Sequence, residues 1–149
     1  MPDILRLTKK GIPFLFLHHS IASYQDWDDF EKIRGGKYIR KMPGIQEKDR
    51  STFQHEVWIN VSIIDKNHPT VKGLSDFKLY DEVYGNVRNE KNVKPLLGTD
   101  QSASDPVIGW ETKFNKSKII YIQPGHDEIS YKNPDYRKLI FQAIKYLTD

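Results

Sequence analysis

Cysteine is absent from this 149-residue sequence, and so is any long apolar run. Without cysteine the chain has no disulfide, no zinc–thiolate site, no iron–sulfur cluster and no cysteine nucleophile. Its longest uninterrupted apolar run, residues 14–17, is far shorter than the ~20 residues that a membrane-spanning helix needs. The first residues also lack the charged-then-apolar pattern of a signal peptide. We therefore expect a cytoplasmic protein with no membrane partner.

A large charge excess of one sign is missing as well. The 23 Lys and Arg residues exceed the 20 Asp and Glu residues by only three, and both signs alternate along the chain. A nucleic-acid-binding protein usually gathers its basic residues on one face, so nucleic acid is not an expected partner. No repeat and no linker-like segment interrupts the sequence, which predicts a single domain over residues 1–149.

The pattern of apolar residues predicts a fold of alternating strands and helices. Residues 12–17 are apolar at nearly every position, which is typical of a parallel strand that is buried on both faces. Residues 52–65 alternate, with Val57, Ile59 and Val61 on the inward face. Further strands are predicted over residues 106–112 and 118–123, joined by a turn at 114–117. Helices are predicted over 3–9, 26–33 and 134–147, the last with an apolar stripe of Tyr136, Ile140, Ala143, Ile144 and Leu147.

Three histidines follow predicted strands, where the loops of an α/β sheet commonly form ligand sites. His18 and His19 come directly after the first strand, and strand alternation would send their side chains to opposite sides. His126 follows Pro124-Gly125, a turn that allows close approach of the backbone. Imidazoles exchange protons near neutral pH, so these three are the candidate catalytic residues, with His126 ranked first. A pair of Ser20 and His126 as a hydrolase is disfavoured, because histidine occupies the turn position of the nucleophile.

Polar and aromatic residues elsewhere suit a small ligand that carries hydroxyl groups. Asp81 and Glu82 could orient such groups, Tyr24 could stack on the apolar face of a ring, and His55 could reach the same cleft. A solvated acidic pair is an equally good interpretation of Asp81 and Glu82. Together His18, His126 and Glu82 make a ligand set for a divalent metal such as zinc, although no compact metal-binding motif is present. His68, in a turn before Pro69, is interpreted as structural.

Several stretches resemble motifs of a known family, from Leu17-His18-His19-Ser20 near the start to Pro124-Gly125-His126 near the end. The resembling stretches are 17–27, 33–38, 67–74, 81–84, 106–110 and 118–126, followed by Tyr131 and Pro134. Their order and coverage resemble the ThuA-like (trehalose utilisation) family. That resemblance implies a flavodoxin-like fold, similar to class I glutamine amidotransferases, in which a mostly parallel sheet is flanked by helices.

The resemblance also implies a role in carbohydrate metabolism, on trehalose, related disaccharides or their keto derivatives. Amidotransferase activity is excluded, because its thioester mechanism needs a thiolate that this chain lacks. A sugar-processing hydrolase or lyase is the first hypothesis, and a non-catalytic sugar-binding or accessory domain is the alternative. Relative to the family, we expect the usual N-terminal strands to be missing, which would leave a sheet edge uncovered. Either the given chain is a fragment or a short variant, or a second copy covers this edge, and we expect self-association into a homo-oligomer.

Overall fold

A computed structural model of the protein describes residues 2–149. Its four α-helices are α1 (Pro2–Lys10), α2 (Asp28–Arg34), α3 (Glu128–Lys132) and α4 (Pro134–Thr148). Its eight strands are β1 (Phe14–Leu17), β2 (Gly36–Lys37), β3 (Thr52–Ile63), β4 (Phe77–Gly85), β5 (Arg88–Asn89), β6 (Lys94–Gly98), β7 (Val107–Phe114) and β8 (Ser117–Ile122). No helix within this part of the chain is both long and apolar enough to cross a membrane.

Six strands form one sheet in the order β1-β8-β7-β6-β3-β4. Only β1 and β8 run parallel, and the other neighbours are antiparallel. The α/β class is confirmed, but the predicted mostly parallel sheet is wrong. For β7 and β8 the physical reason is the length of the connection, since only residues 115–116 join them. A parallel pair needs a crossover of about a dozen residues, whereas an antiparallel pair needs only a hairpin turn.

The main core lies between β3, β4 and their neighbours and helix α4. Ile59, Val61 and Ile63 are buried in it, as the alternation of residues 52–65 predicts. The helix buries Tyr136, Leu139, Ala143 and Leu147. The predicted stripe is therefore rotated in part: Ile144 is 49% exposed, and Leu139 occupies the core in its place. Positions 136, 139, 143 and 147 follow i, i+3 and i+4 steps, and this face meets the sheet.

The single parallel pair positions the candidate site. Because β1 and β8 run side by side in the same direction, residues after Leu17 and after Ile122 emerge at the same edge of the sheet. All four residues of β1 are half-buried, so burial on both faces was overestimated. The reason is that β1 ends the order of the sheet and has β8 alone as its neighbour. Self-association through this edge stays a prediction.

Candidate active site

His18 opens a short 3-10 helix, His18–Ala22, directly after β1. Its backbone has a positive φ of 40°, an uncommon conformation for a residue with a side chain that often marks functional sites. The ring is buried, and its Nδ1 lies 2.7 Å from the backbone oxygen of Gln123. A carbonyl can only accept, so Nδ1–H donates to it and the lone pair of a neutral His18 lies on Nε2.

Four side chains meet at this edge, and we call His18, His19, Glu82 and His126 the His/Glu cluster. The Oε2 atom of Glu82 lies 2.8 Å from His18 Nε2 and 2.9 Å from His126 Nδ1. These two ring nitrogens are 3.1 Å apart, and His19 Nε2 lies 3.7 Å from the same carboxylate oxygen. The three segments that the sequence singled out for catalysis and metal binding therefore converge.

Strand alternation predicted that the side chains of His18 and His19 point to opposite sides. In the structure they do not. Their ring centroids are 4.3 Å apart, with the His18 ring buried and the His19 ring exposed. The expectation fails because β1 ends at Leu17, and the 3-10 turn that follows places both rings on the same side. The pairing of Ser20 with His126, which the sequence disfavours, is not seen, since Ser20 Oγ is buried without a hydrogen-bond partner.

The contact between His18 and Glu82 brings two hydrogen-bond acceptors together. With its proton on Nδ1, His18 presents the Nε2 lone pair to a carboxylate oxygen at 2.8 Å, so two acceptors face each other. Burial lowers the pKa of His18, which disfavours the imidazolium that would resolve this contact. The single O–H of Tyr84 lies near both atoms but can donate to only one of them, so a positive ion bound by both would resolve the contact instead.

His55 reaches the cluster from β3 because of a β-bulge. The pairing of β3 with β4 shifts between Gln54 and Val57, and Glu56 in this bulge has a φ of 56°. Bulges beside active sites commonly redirect a side chain. Here His55 Nδ1 lies 3.5 Å from the other Glu82 oxygen, Oε1, while about half of the side chain stays exposed. His55 thus lies where the sequence expected it.

Asp81 has a different environment from the one expected. Its Oδ1 accepts from the backbone N–H groups of Glu82 (2.7 Å) and His126 (3.0 Å). Its Oδ2 accepts from the N–H of Gly125 (2.7 Å) and the hydroxyl of Ser130 (2.5 Å). Each carboxylate oxygen already has two donors, so the predicted orientation of sugar hydroxyls by Asp81 does not agree with this structure.

Tyr24 lies apart from the cluster, and Tyr84 belongs to it. The Tyr24 ring packs against Trp27 and Phe30, and it lines neither cavity beside the cluster. The Tyr84 hydroxyl lies 2.9 Å from His18 Nε2 and 3.1 Å from Glu82 Oε2, and burial raises the pKa of Tyr84. Sequence reasoning missed Tyr84, although a strand places residues 82 and 84 on the same face.

Two cavities open beside the cluster, with His55 in the wall of both. One of about 360 Å³ is lined by His55, Tyr80 and His126, among others. The other, of about 240 Å³, is lined by His19, Phe53 and His55 together with Glu82. Imidazole, carboxylate and aromatic groups therefore line the space in which a small polar ligand would contact the cluster.

The donor set of the His/Glu cluster fits a divalent metal. One ligand atom from each of its four residues lies within 4.8 Å of all the others. Zinc binds imidazole nitrogen and carboxylate oxygen at about 2.0–2.2 Å, in tetrahedral sites. A metal-binding histidine usually donates its second N–H to a carbonyl or carboxylate, as His18 does to Gln123. Three of the four residues belong to the ligand set proposed from sequence, and His19 is the addition.

Comparisons with known proteins agree on one family and fold. The sequence profile described as "ThuA: Trehalose utilisation" matches residues 3–147. A ThuA-like protein of Parabacteroides merdae has a similar structure, with a TM-score of 0.81, 16% identity, and coverage of 98% of this chain and 63% of that one. A ThuA-like protein of Bacteroides uniformis has a TM-score of 0.73 and 18% identity, with coverage of 98% and 62%.

A larger enzyme contains a similar fold. The cold-adapted β-galactosidase of Rahnella sp. R3 matches with a TM-score of 0.63 and 11% identity, over 99% of this chain and 20% of that one. A comparison with curated proteins finds no match. The chain thus spans under two thirds of the two ThuA-like structures and a fifth of the β-galactosidase.

Proposed function

Since the chain belongs to the ThuA family, described by trehalose utilisation, we propose that it is a sugar-processing enzyme with the His/Glu cluster as its active centre. Family membership supports a role associated with trehalose utilisation. The assignment of an enzymatic step, of a substrate and of the residues that act on it is our proposal. The substrate class is a disaccharide, which offers hydroxyl oxygens, or a keto derivative of one, which offers a carbonyl oxygen as well.

One observation carries the proposal: the His18 Nε2 lone pair faces Glu82 Oε2 at 2.8 Å while Nδ1–H is held by Gln123. We propose that His18, Glu82 and His126, with His19 as the fourth residue, hold a divalent cation such as zinc. When bound, such a cation acts as a Lewis acid that polarises a carbonyl or hydroxyl oxygen. The Tyr84 hydroxyl, in contact with both His18 and Glu82, fixes the orientation of these two side chains.

The remaining groups support acid–base chemistry on a bound sugar. His55 is half-exposed and lies between the two cavities, so its ring can donate to, or accept from, the hydroxyl groups of a ligand there. Phe53 and Tyr80 present aromatic surface in the two cavities, which suits the apolar face of a sugar ring. Hydrolysis and proton abstraction next to a carbonyl both use such groups.

The test compares His126→Gln with His68→Gln. Trehalose and its keto derivative are incubated with zinc-supplemented protein, and product formation and sugar binding are both measured. We expect His126→Gln to lower turnover by about 100-fold or more, because it removes a ligand of the cation, while sugar binding persists. His68→Gln, which changes a buried histidine outside the cluster, should keep turnover.

Unchanged turnover in His126→Gln would contradict the catalytic role. Wild-type protein that binds either sugar without converting it would instead support the non-catalytic sugar-binding domain.

A further inference from the structure

The backbone that carries His126 is bound to the carboxylate of Asp81. Gly125 N–H and His126 N–H both donate to it, at 2.7 and 3.0 Å, and the Ser130 hydroxyl adds a third bond. Asp81 is buried, so these bonds form away from competing water. The next residue, Glu82, contacts the ring of the same histidine at 2.9 Å. Consecutive residues of β4 thus hold the backbone and the ring of His126.

The peptide groups just before Gly125 also form hydrogen bonds with other parts of the protein. The backbone oxygen of Gln123 accepts from His18, and that of Pro124 accepts from the Tyr136 hydroxyl at 2.7 Å. Gly125 has a φ of 121°, and a Cβ atom there would lie 2.3 Å from the same hydroxyl. Each residue from Gln123 to His126 therefore has a backbone group bound to another part of the protein. We call this segment the 123–126 loop. A change in its backbone conformation would break one or more of these bonds.

We propose that Asp81 is a positioning residue, whose carboxylate sets the 123–126 loop so that His126 Nδ1 points at Glu82 and His18. The inference rests on the proposed function, in which His126 holds the cation. It requires the carboxylate itself, because four donors converge on its two oxygens. An asparagine offers one acceptor oxygen, and its NH2 group would face N–H donors that it cannot bind.

The experiment compares Asp81→Asn with Asp105→Asn. Asp105 also accepts from two successive backbone N–H groups, those of Asn86 (3.0 Å) and Val87 (2.7 Å), but this loop carries no member of the cluster. Zinc affinity is measured by competition with a chelator, and hydrogen exchange of the Gly125 and His126 amides is measured without metal. We expect Asp81→Asn to weaken zinc binding by about 10- to 100-fold. Exchange of the two amides should become at least about tenfold faster, and Asp105→Asn should change neither.

Ser130→Ala is the second variant, in case Asp81→Asn does not fold. It removes one of the four bonds to Asp81 and should weaken zinc binding in the same direction by a smaller factor, about threefold.

Distinct results would overturn the inference. Zinc affinity of Asp81→Asn equal to that of the wild type would show that Asp81 serves the fold alone. Equal losses in both Asp variants would indicate general destabilisation.

A wild-type protein that binds no zinc would contradict the proposed function separately. The inference is then decided by the nuclear magnetic resonance signals of the His126 ring, which should move in Asp81→Asn and stay in place in Asp105→Asn. Ring signals that do not move in Asp81→Asn would overturn it.

Discussion

Two buried histidines in different regions of the protein have the same kinds of neighbours and different chemistry. His18 lies beside Glu82 and Tyr84, and His68 lies beside Glu111 and Tyr146. Each of the two histidine residues is 3% exposed. Burial, composition and the pairing with a carboxylate are therefore alike in the two regions, and none of them separates a candidate active centre from a structural contact.

The difference lies in which ring nitrogen carries the proton. His68 Nδ1 accepts from the backbone N–H of Thr70, so the proton of a neutral ring is on Nε2, which faces Glu111 at 3.5 Å. A donor therefore faces an acceptor. In His18 the Nδ1–H donates to the Gln123 carbonyl, and the lone pair of Nε2 faces Glu82. The second arrangement brings two acceptors together, which supports the proposed cation, and three further histidines lie within 3.7 Å of that carboxylate.

The largest effect is expected from removal of the Glu82 charge. Glu82→Gln should weaken zinc binding by more than about 100-fold, because it removes a charged ligand and not only a group that orients one. Glu111→Gln is the matched control. It should bind zinc within about twofold of the wild type, because Glu111 is not a member of the His/Glu cluster. Chelator competition measures both. Similar losses in the two variants would remove the distinction between the regions.

The tyrosines should show the same contrast with a smaller effect. Tyr84→Phe removes the hydroxyl that contacts His18 and Glu82, and should lower zinc affinity or turnover by about tenfold. Tyr146→Phe removes a hydrogen bond of 2.7 Å to Glu111 and should cost about 1 kcal/mol in the free energy of unfolding, with zinc affinity unchanged. Urea denaturation and zinc titration of both variants measure these effects. A Tyr84→Phe protein with wild-type affinity would argue against an orienting role of the hydroxyl.

The smallest effect concerns the dependence of stability on pH at His68. Burial lowers the pKa of His68 from its usual 6.5, and the nearby carboxylate of Glu111 offsets this only in part. Between the lowered pKa and 6.5 the unfolded chain binds more protons at this residue, so the folded state loses stability as pH falls through this window. His68→Gln should make the decrease in melting temperature between pH 7 and pH 5 less steep. An unchanged slope would mean that His68 does not contribute.

The sequence predicted which candidate residues come together better than it predicted the sheet. His18, His19, Glu82 and His126 were identified because they follow strands or lie in motifs of the family, and strand ends on one edge must come together. The direction of β7 was misjudged, although a two-residue turn before β8 already requires an antiparallel pair. The resemblance to a parallel fold outweighed that local signal.

Other features depend on contacts that no local pattern contains. Asp81 and Glu82 are adjacent carboxylates, and only the positions of Gly125 and His126 show that one binds backbone and the other faces imidazoles. Likewise, Leu139 and Ile144 are both apolar residues of α4. The angle at which the helix meets the sheet decides that Leu139 is buried and Ile144 is half-exposed.

The most direct test of the cation site is a crystal grown with zinc and measured at the zinc absorption edge. The account predicts an anomalous peak at the His/Glu cluster, about 2.0–2.2 Å from His18 Nε2, Glu82 Oε2 and His126 Nδ1. The absence of a peak there, with His18 and Glu82 still in direct contact, would contradict it.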